Sequence, residues 1–596
     1  MSVRDPSFDP RRQNPRSGAH PAKAGAVAPG RPAWLLPALV VAALVLGVGI
    51  GFGSGLFRGG SGGAGPAAPG AVGAVTGTPG PGSTANPDAS APGNAPAGPT
   101  GAQPTDDPGA QASPAAAPPV TTDTALADVA IVPVTQFRTG RSSARTADVK
   151  GIADGSSPYD ALVLVDRDAD AILASVGVKR SALGTHLVTV QSAAQLSADL
   201  AKHRTRLGFL RADEITPAVR ALAWGSDALF GVGRVGSLGG WKLTANLAVP
   251  AGSTPAYDPG KSWTLVAGGD IMLDRGVSQA ITAAKAGAKF PFNGGTAAIT
   301  GHCRNCSPMG WDLPYTKRTG NVGDVRELTR GADIAIANFE NPAPDNWHWH
   351  GKGMVFSANP KNIAGLVDAG IDWVSLANNH IGDAGKAGIV STQGNLDDYG
   401  IKHAGAGKNT ADAHTASLLK AGGVTVGILG YDTIAAYYAS GPSTPGSARM
   451  TKAFLQKDIA AARKAGADIV IVFPHWGVEY HAKPSAGQRN LGHLAIDAGA
   501  DMVIGNHPHW AEGMEVYKGK PIWYALGNLV FDQTWSEPTM EGITLELTFS
   551  GKSLAQVRIR PHLILGKAQP NFMDPMGSGK VVMDQVWGAS KGLLSW

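Results

Sequence analysis

Ser375-Leu-Ala-Asn-Asn-His-Ile-Gly-Asp-Ala-Gly385 follows the apolar run Ile371-Asp-Trp-Val-Ser-Leu-Ala377, and how it is read decides the fold. The run has the length and composition of a buried strand. Two amides, an imidazole and a carboxylate then arrive within six residues, where the strand ends. In open α/β sheets the loops leaving the carboxyl ends of strands are where ligands bind. If that rule applies here, other strands of the same chain should end in the same kind of residue.

They do. Apolar strands are expected at 263–273, 332–339, 372–377, 424–430, 467–473, 501–504 and 521–526. Three junctions between helix and strand share one form, Ala369-Gly-Ile-Asp372, Ala465-Gly-Ala-Asp468 and Ala498-Gly-Ala-Asp501. A glycine just past a helix supplies a left-handed cap, and the apolar residues after it start a strand. Alternating helices and strands predict an α/β layered domain over 262–570. The strand ends carry Gly268-Gly-Asp-Ile-Met-Leu-Asp-Arg275, Ala337-Asn-Phe-Glu-Asn-Pro342, Phe473-Pro-His-Trp-Gly-Val-Glu-Tyr480, Ile504-Gly-Asn-His-Pro-His-Trp510 and Ala525-Leu-Gly-Asn-Leu-Val-Phe-Asp-Gln533. One strand-end Asp is ordinarily a turn or cap residue. Six strand ends in succession bearing Asp, Glu, Asn or His point to a metal. Oxygen and imidazole donors together suit Mn, Fe or Zn rather than calcium. One or two such ions would polarise an oxyanion or hold a hydroxide.

The rest of the chain bounds the setting. Its 596 residues are too many for one ordinary domain, and 80 glycines with 42 prolines mark part of it as linker. A net charge of +5 permits an anionic partner but gives no nucleic-acid stripe. Residues 1–31 form a basic tail with Arg4, Arg11, Arg12, Arg16, Lys23 and Arg31 against Asp5 and Asp9. The uncharged apolar run within 32–57 is long enough to cross a bilayer as a helix and longer than a cleaved signal's apolar core. The positive-inside rule then predicts a single-pass anchor in the cell membrane, with the large carboxyl-terminal part extracytoplasmic. Residues 58–121, rich in Gly, Ala and Pro, read as a disordered linker spanning about 45 Å as a coil. A small α/β domain of no assigned role is expected over 122–255, with strands at 129–134 and 160–165 and helices at 193–203 and 215–224. Residues 571–596 are expected as a tail.

The strand-end motifs resemble the CapA/PgsA capsule-synthesis proteins, within the calcineurin-like metallophosphoesterase superfamily. The matches are Gly269-Asp-Ile-Met-Leu-Asp-Arg275, Asn338-Phe-Glu340, Ala377-Asn-Asn-His-Ile-Gly-Asp-Ala-Gly385, His475-Trp-Gly-Val-Glu-Tyr480, Gly505-Asn-His-Pro-His509 and Leu526-Gly-Asn-Leu-Val-Phe-Asp532. The resemblance implies a four-layer α/β/β/α sandwich. It also implies a membrane-anchored extracytoplasmic protein that makes or exports poly-γ-glutamate or a related anionic surface polymer, alongside a membrane-bound ligase or synthase. Carried over by position, Asp270 resembles the first metal Asp, Glu340 the bridging carboxylate and Asn379 the metal Asn. His475, His507 and His509 resemble the imidazole ligands, and His380 the residue that protonates a leaving group. Met272 stands where phosphoesterases place a second-ligand His, and Glu340 where they place Asp. Both departures weaken the case for efficient two-metal phosphoester chemistry.

Other residues divide between function and structure. Arg275 is a candidate contact for an anionic group or a helix-start arginine. Asp383 and Glu479 are candidates to orient imidazoles; Asn528 and Asp532 are candidates for that role or for turns. His507 and His509 share one direction if their backbone is extended. Cys303 and Cys306 are a candidate local disulfide outside the membrane. The triplets Gly260-Lys-Ser262 and Gly551-Lys-Ser553 lack the upstream glycine of a phosphate loop, since Pro255 and Glu546 hold that position. Three functions follow as alternatives: a polymer-assembly subunit, a metal-dependent phosphoesterase of the envelope, or a metal-bound scaffold without catalysis.

Overall fold

The structure, a computed structural model, describes residues 123–253 and 257–596. The expected membrane span and linker lie outside them. Among the described residues no helix is long and apolar enough to cross a membrane.

Residues 124–250 build a six-stranded sheet in the order 187–190, 161–165, 206–211, 124–136 and 219–221, with 244–250 also paired to 124–136. Its centre is the strand Thr124–Gln136, longer than the sequence suggested, whose carboxyl half is buried. The helix expected at 193–203 is present as Ala193–Lys202. The helix expected at 215–224 is not. Val219–Ala221 is a strand that pairs antiparallel with Val134, Thr135 and Gln136. A short apolar run fits either state by itself, and here an open sheet edge decided it.

The larger part holds two sheets. The parallel centre of the first comprises β1 (Ser262–Ile271), β2 (Ile334–Phe339) and β3 (Trp373–Ser375), with helices α1 (Arg275–Ala283), α2 (Ile363–Asp368) and α3 (Gly385–Asp398). The second sheet runs through β4 (Val424–Asp432), β5 (Ile469–His475) and β6 (Met502–Ile504), all parallel, with α4 (Lys452–Lys464) and α5 (Ala486–Asp497). The chain then returns to the first sheet with β7 (Asn528–Val530), β8 (Glu541–Ser550) and β9 (Ser553–Leu565). These parallel strands lie within two or three residues of the expected ones.

Side-chain alternation assigns the faces. Leu265, Ala267, Ile334 and Ile336 of the first sheet share a core with Val426, Ile428, Ile469 and Ile471 of the second. Their neighbours Ala335, Ala337 and Val374 face Val277, Leu366 and Ile389 of the helices. On the other side Leu429, Val470 and Val503 face Leu455, Ile459 and Ala495. The layers therefore run helix, sheet, sheet, helix. The junction glycines Gly370, Gly466 and Gly499 have φ of 73°, 97° and 106°, the left-handed caps their sequence predicted.

The expected tail is folded. Residues Gln569–Phe572 extend the first sheet, and α6 (Lys580–Ala589) buries Val582 and Val586 in the core between the sheets. Cys303 ends the first strand of a hairpin, Thr296–Cys303 with Leu313–Gly320, and is disulfide-bonded to Cys306 at its tip.

Candidate metal centre

Parallel strands that all run one way deliver their last residues to one edge, and this edge is where the polar groups collect. Asp270 is the penultimate residue of β1, Glu340 follows β2 and His475 closes β5. Asn379 and His380 lie just beyond β3, His507 and His509 beyond β6, and Asn528 opens β7. Asp270, Glu340, His475, His507 and His509 are all buried, the most exposed at 4 %.

The side chains form two triplets, Glu340 with His475 and His507, and Asp270 with Glu340 and His509, each with ligand atoms within 4.8 Å of one another. Glu340 belongs to both. A Glu340 carboxylate oxygen lies 3.5 Å from His475 Nε2 and 3.8 Å from His509 Nε2. Asp270 lies 3.5 Å from His509 Nδ1. Asn379 Oδ1 is 2.7 Å from His475 Nε2, which is 3.1 Å from His507 Nδ1.

Both carboxylate oxygens of Glu340 are buried with no hydrogen-bond partner. Such a group is costly unless something else satisfies it. Burial, then the negative charges of Asp270 and Glu479, push its carboxyl well above the usual range. Burial also drives the His475 imidazole down to about 3 and holds His507 well below its ordinary value, so both are neutral at pH 7. Asp270 is different. Burial raises its proton affinity, but hydrogen bonding from His509 and Asn338 and the surrounding imidazoles outweigh this and hold its carboxyl below the ordinary value. Neutral imidazoles, an ionised Asp and an unsatisfied Glu between them form a donor set that fits a divalent cation of the Mn, Fe or Zn class.

Other side chains fix these groups. Asn528 Oδ1 accepts from His509 Nδ1 at 2.9 Å, while its amide donates to Gln533 and to the Thr539 carbonyl. That leaves His509 Nε2 as the free nitrogen. Asp383 Oδ2 accepts a hydrogen bond from His380 Nδ1 at 2.8 Å, and the Phe356 ring lies 4.0 Å from the same imidazole. Asn338 was matched only as part of a motif, yet its amide donates to Asp270 at 2.7 Å and meets His475 Nδ1 at 3.1 Å. Asn378 is fully buried, donates to the Phe339 carbonyl and accepts the His380 N–H, which makes it a structural link between β2 and the loop after β3. Alternation along β2 could have found Asn338, because it lies two residues before Glu340 at the same strand end. Phe356 could not have been found, since it comes from a loop.

Several expectations change. Arg275 pairs with Asp532, donates to the Gly353 carbonyl at 2.9 Å and lies over the Phe356 ring at 4.7 Å. The guanidinium is thus anchored within the protein. Asp532 also accepts the Gly276 N–H at 2.8 Å, so it secures the start of α1 instead of an imidazole. Among the described residues no hydrogen bond joins the Glu479 carboxylate to a histidine; its effect on the site is repulsion of Glu340. Met272 is buried in the core beneath α1 and its sulfur lies 3.0 Å from the Asp274 N–H. The backbone at His507 and His509 is not extended: φ is 100° and 58°. Their convergence comes from left-handed backbone, an uncommon state for residues with a Cβ and one that functional sites hold under strain.

Comparison with known proteins gives the site its context. Residues 264–533 match the family described as bacterial capsule synthesis protein PGA_cap. The capsule biosynthesis protein CapA of Bacillus anthracis is 36 % identical over 278 residues, which cover 45 % of this chain and 67 % of that protein. The PGA biosynthesis protein CapA of Bacillus subtilis is 37 % identical over 216 residues, 36 % of this chain and 57 % of that one. A probable polyglutamine synthesis accessory protein of Mycobacterium tuberculosis is 30 % identical over 291 residues, 45 % and 74 %. Part of each relative lies outside the match. Among solved structures, the NAD nucleotidase of Haemophilus influenzae aligns at 14 % identity with a TM-score of 0.32, over 56 % of this chain and 63 % of that one.

Proposed function

The chain belongs to the PGA_cap family of bacterial capsule synthesis proteins, and from that membership we propose that it takes part in making or exporting an anionic surface polymer such as poly-γ-glutamate. In this reading residues 32–57 hold it in the cell membrane, the folded part works outside, and a membrane-bound ligase or synthase is its partner. Two features support it: the family match and the pair of ligand triplets that share Glu340.

The observation that carries the metal part is the buried Glu340 carboxylate with neither oxygen hydrogen-bonded. Asp270, Glu340, Asn379, His475, His507 and His509 would hold one or two ions. A bound divalent ion would act as a Lewis acid that polarises a carbonyl or phosphoryl oxygen. The protein's own residues do the rest. Asp383 fixes the His380 ring and occupies Nδ1, so any proton that His380 passes moves at Nε2. Asn528 orients His509, and Asn338 orients Asp270.

The test is elemental analysis of the purified full chain together with polymer production in cells. We expect at least one divalent ion per chain, lost in Asp270→Ala and in His507→Ala. Full occupancy in both variants would sink the assignment. A Glu340→Ala protein that is stable and abundant should abolish polymer; unchanged polymer would leave the scaffold reading. Fast phosphodiester turnover that disappears in His380→Ala would instead establish the phosphoesterase.

A further inference from the structure

A basic cleft lies where the small sheet meets the larger part, built from residues outside the metal-ligand triplets. A cavity of about 430 Å³ opens beside the end of strand Thr124–Gln136, β9 and α6. Arg138, Arg204, Arg220, Arg558, Arg560 and Lys580 line it, against Asp574 and Asp584. A second cavity, of about 530 Å³, shares Gln136, Phe137, Arg138 and Arg204 with the first, so the two run on as one groove. Glu214 in that second wall is already paired with Arg167.

The positive charge is not balanced within the protein. Arg560 and Arg558 share Glu546, at 2.8 and 3.7 Å, and the same carboxylate accepts the Val232 N–H at 2.7 Å. Lys580 is paired with Asp584. Among the described residues Arg138, Arg204 and Arg220 have no ion pair. Arg220 is 6 % exposed; it reaches the Val557 carbonyl at 3.3 Å, and its Nε is buried without a partner. Burial, then repulsion from Arg558, outweigh the attraction of Glu546 and depress its affinity for its proton, while burial and Arg204 act likewise on Arg138. Arg138 is held between the Phe137 and Trp587 rings, at 5.5 and 5.7 Å. A guanidinium kept dry beside two others is unfavourable unless an anion answers it. Its planar fork suits a carboxylate or a phosphate.

We propose that this cleft binds a segment of an extended polycarboxylate chain, whose carboxylates pair with Arg220, Arg138 and Arg204. All six cations line the first cavity, and Arg138 and Arg204 also border the second, so an extended chain anchored in the first can run on into the second, which a single small anion would not use. The choice of carboxylate over phosphate rests on the polymer reading given above; the cleft itself does not.

The experiment is fluorescence polarisation of the full chain with a labelled oligoglutamate, with inorganic phosphate and polyphosphate as competitors. Oligoglutamate should bind, more weakly as salt rises, and the double variant Arg138→Gln, Arg204→Gln should bind about tenfold or more weakly. Both positions are at least partly exposed, so the fold should survive; Arg220→Lys, which keeps the charge but not the fork, should also weaken binding. Unchanged affinity in the double variant overturns the site. Equal displacement by inorganic phosphate overturns the extended chain, and tighter binding of polyphosphate overturns the carboxylate. Metal content is measured on the same samples. Loss of oligoglutamate binding with metal retained separates this cleft from the metal centre, and an Asp270→Ala protein without metal should still bind.

Discussion

Glu340 and Asn528 show how much of the site rests on single residues. Burial and the charge of Asp270 raise the proton affinity of Glu340, whose oxygens no donor answers, so a divalent ion bound there competes with a proton. Metal uptake at neutral pH should therefore release protons and tighten as pH rises. Calorimetry in buffers of different ionisation enthalpy will read this release, and Glu340→Gln should remove it. Asn528→Ala takes away the acceptor that fixes the His509 tautomer. It should lower metal affinity about 10–100-fold with little loss of secondary structure; an affinity equal to the parent's would show that the packing of the ring alone suffices. Asp270, Glu340, Asn379, His475, His507 and His509 were readable as candidates because each stands at a strand end or in the loop that leaves it. Phe356 and the Arg275–Asp532 pair were not, because which loop crosses which helix start is settled between segments far apart in sequence.

At the scale of elements, the junction glycines mark where local sequence decides outright. Gly466 has φ of 97°, and a Cβ added there meets nothing within 4 Å. Gly466→Ala therefore isolates backbone strain from crowding, and should cost about 1 kcal/mol of stability in denaturant unfolding. A neutral result would mean that the cap relaxes. Long apolar strands between such caps were placed to within a few residues. The segment 215–224 was misread, because a proline near its start suits a helix and only the free edge beside Val134–Gln136 makes Val219–Ala221 a strand. His507 and His509 show the reverse case: the reason offered for their convergence fails, and left-handed backbone brings them together instead.

For the molecule as a whole, the return of β7, β8 and β9 to the first sheet ties residues 528–565 back to β1 at 262–271. His562 sits in that return, fully buried, with Nε2 bonded to the Asn528 carbonyl at 2.8 Å. Burial lowers its imidazole to about 4, against the partial opposition of that hydrogen bond. The unfolded chain takes up this proton first as pH falls. The stability His562 contributes is complete above about pH 6.5 and drains away toward pH 4, by up to about 3 kcal/mol. His562→Gln should be less stable at pH 7 but show a flatter fall over that window in thermal unfolding. An unchanged slope would place the acid sensitivity elsewhere.

Sequence alone determined the run of strands, the polar residues at their ends and the family likeness, since hydrophobic period and motif order are local properties of the chain. Which strands share a sheet, which imidazole nitrogen is free, and how Arg220 comes to stand beside Arg558 and Arg560 were decided only by the tertiary structure. Those outcomes depend on which segments fold against one another, from the 19 residues between His509 and Asn528 to the 337 between Arg220 and Val557, and there burial and pairing outweigh any local preference.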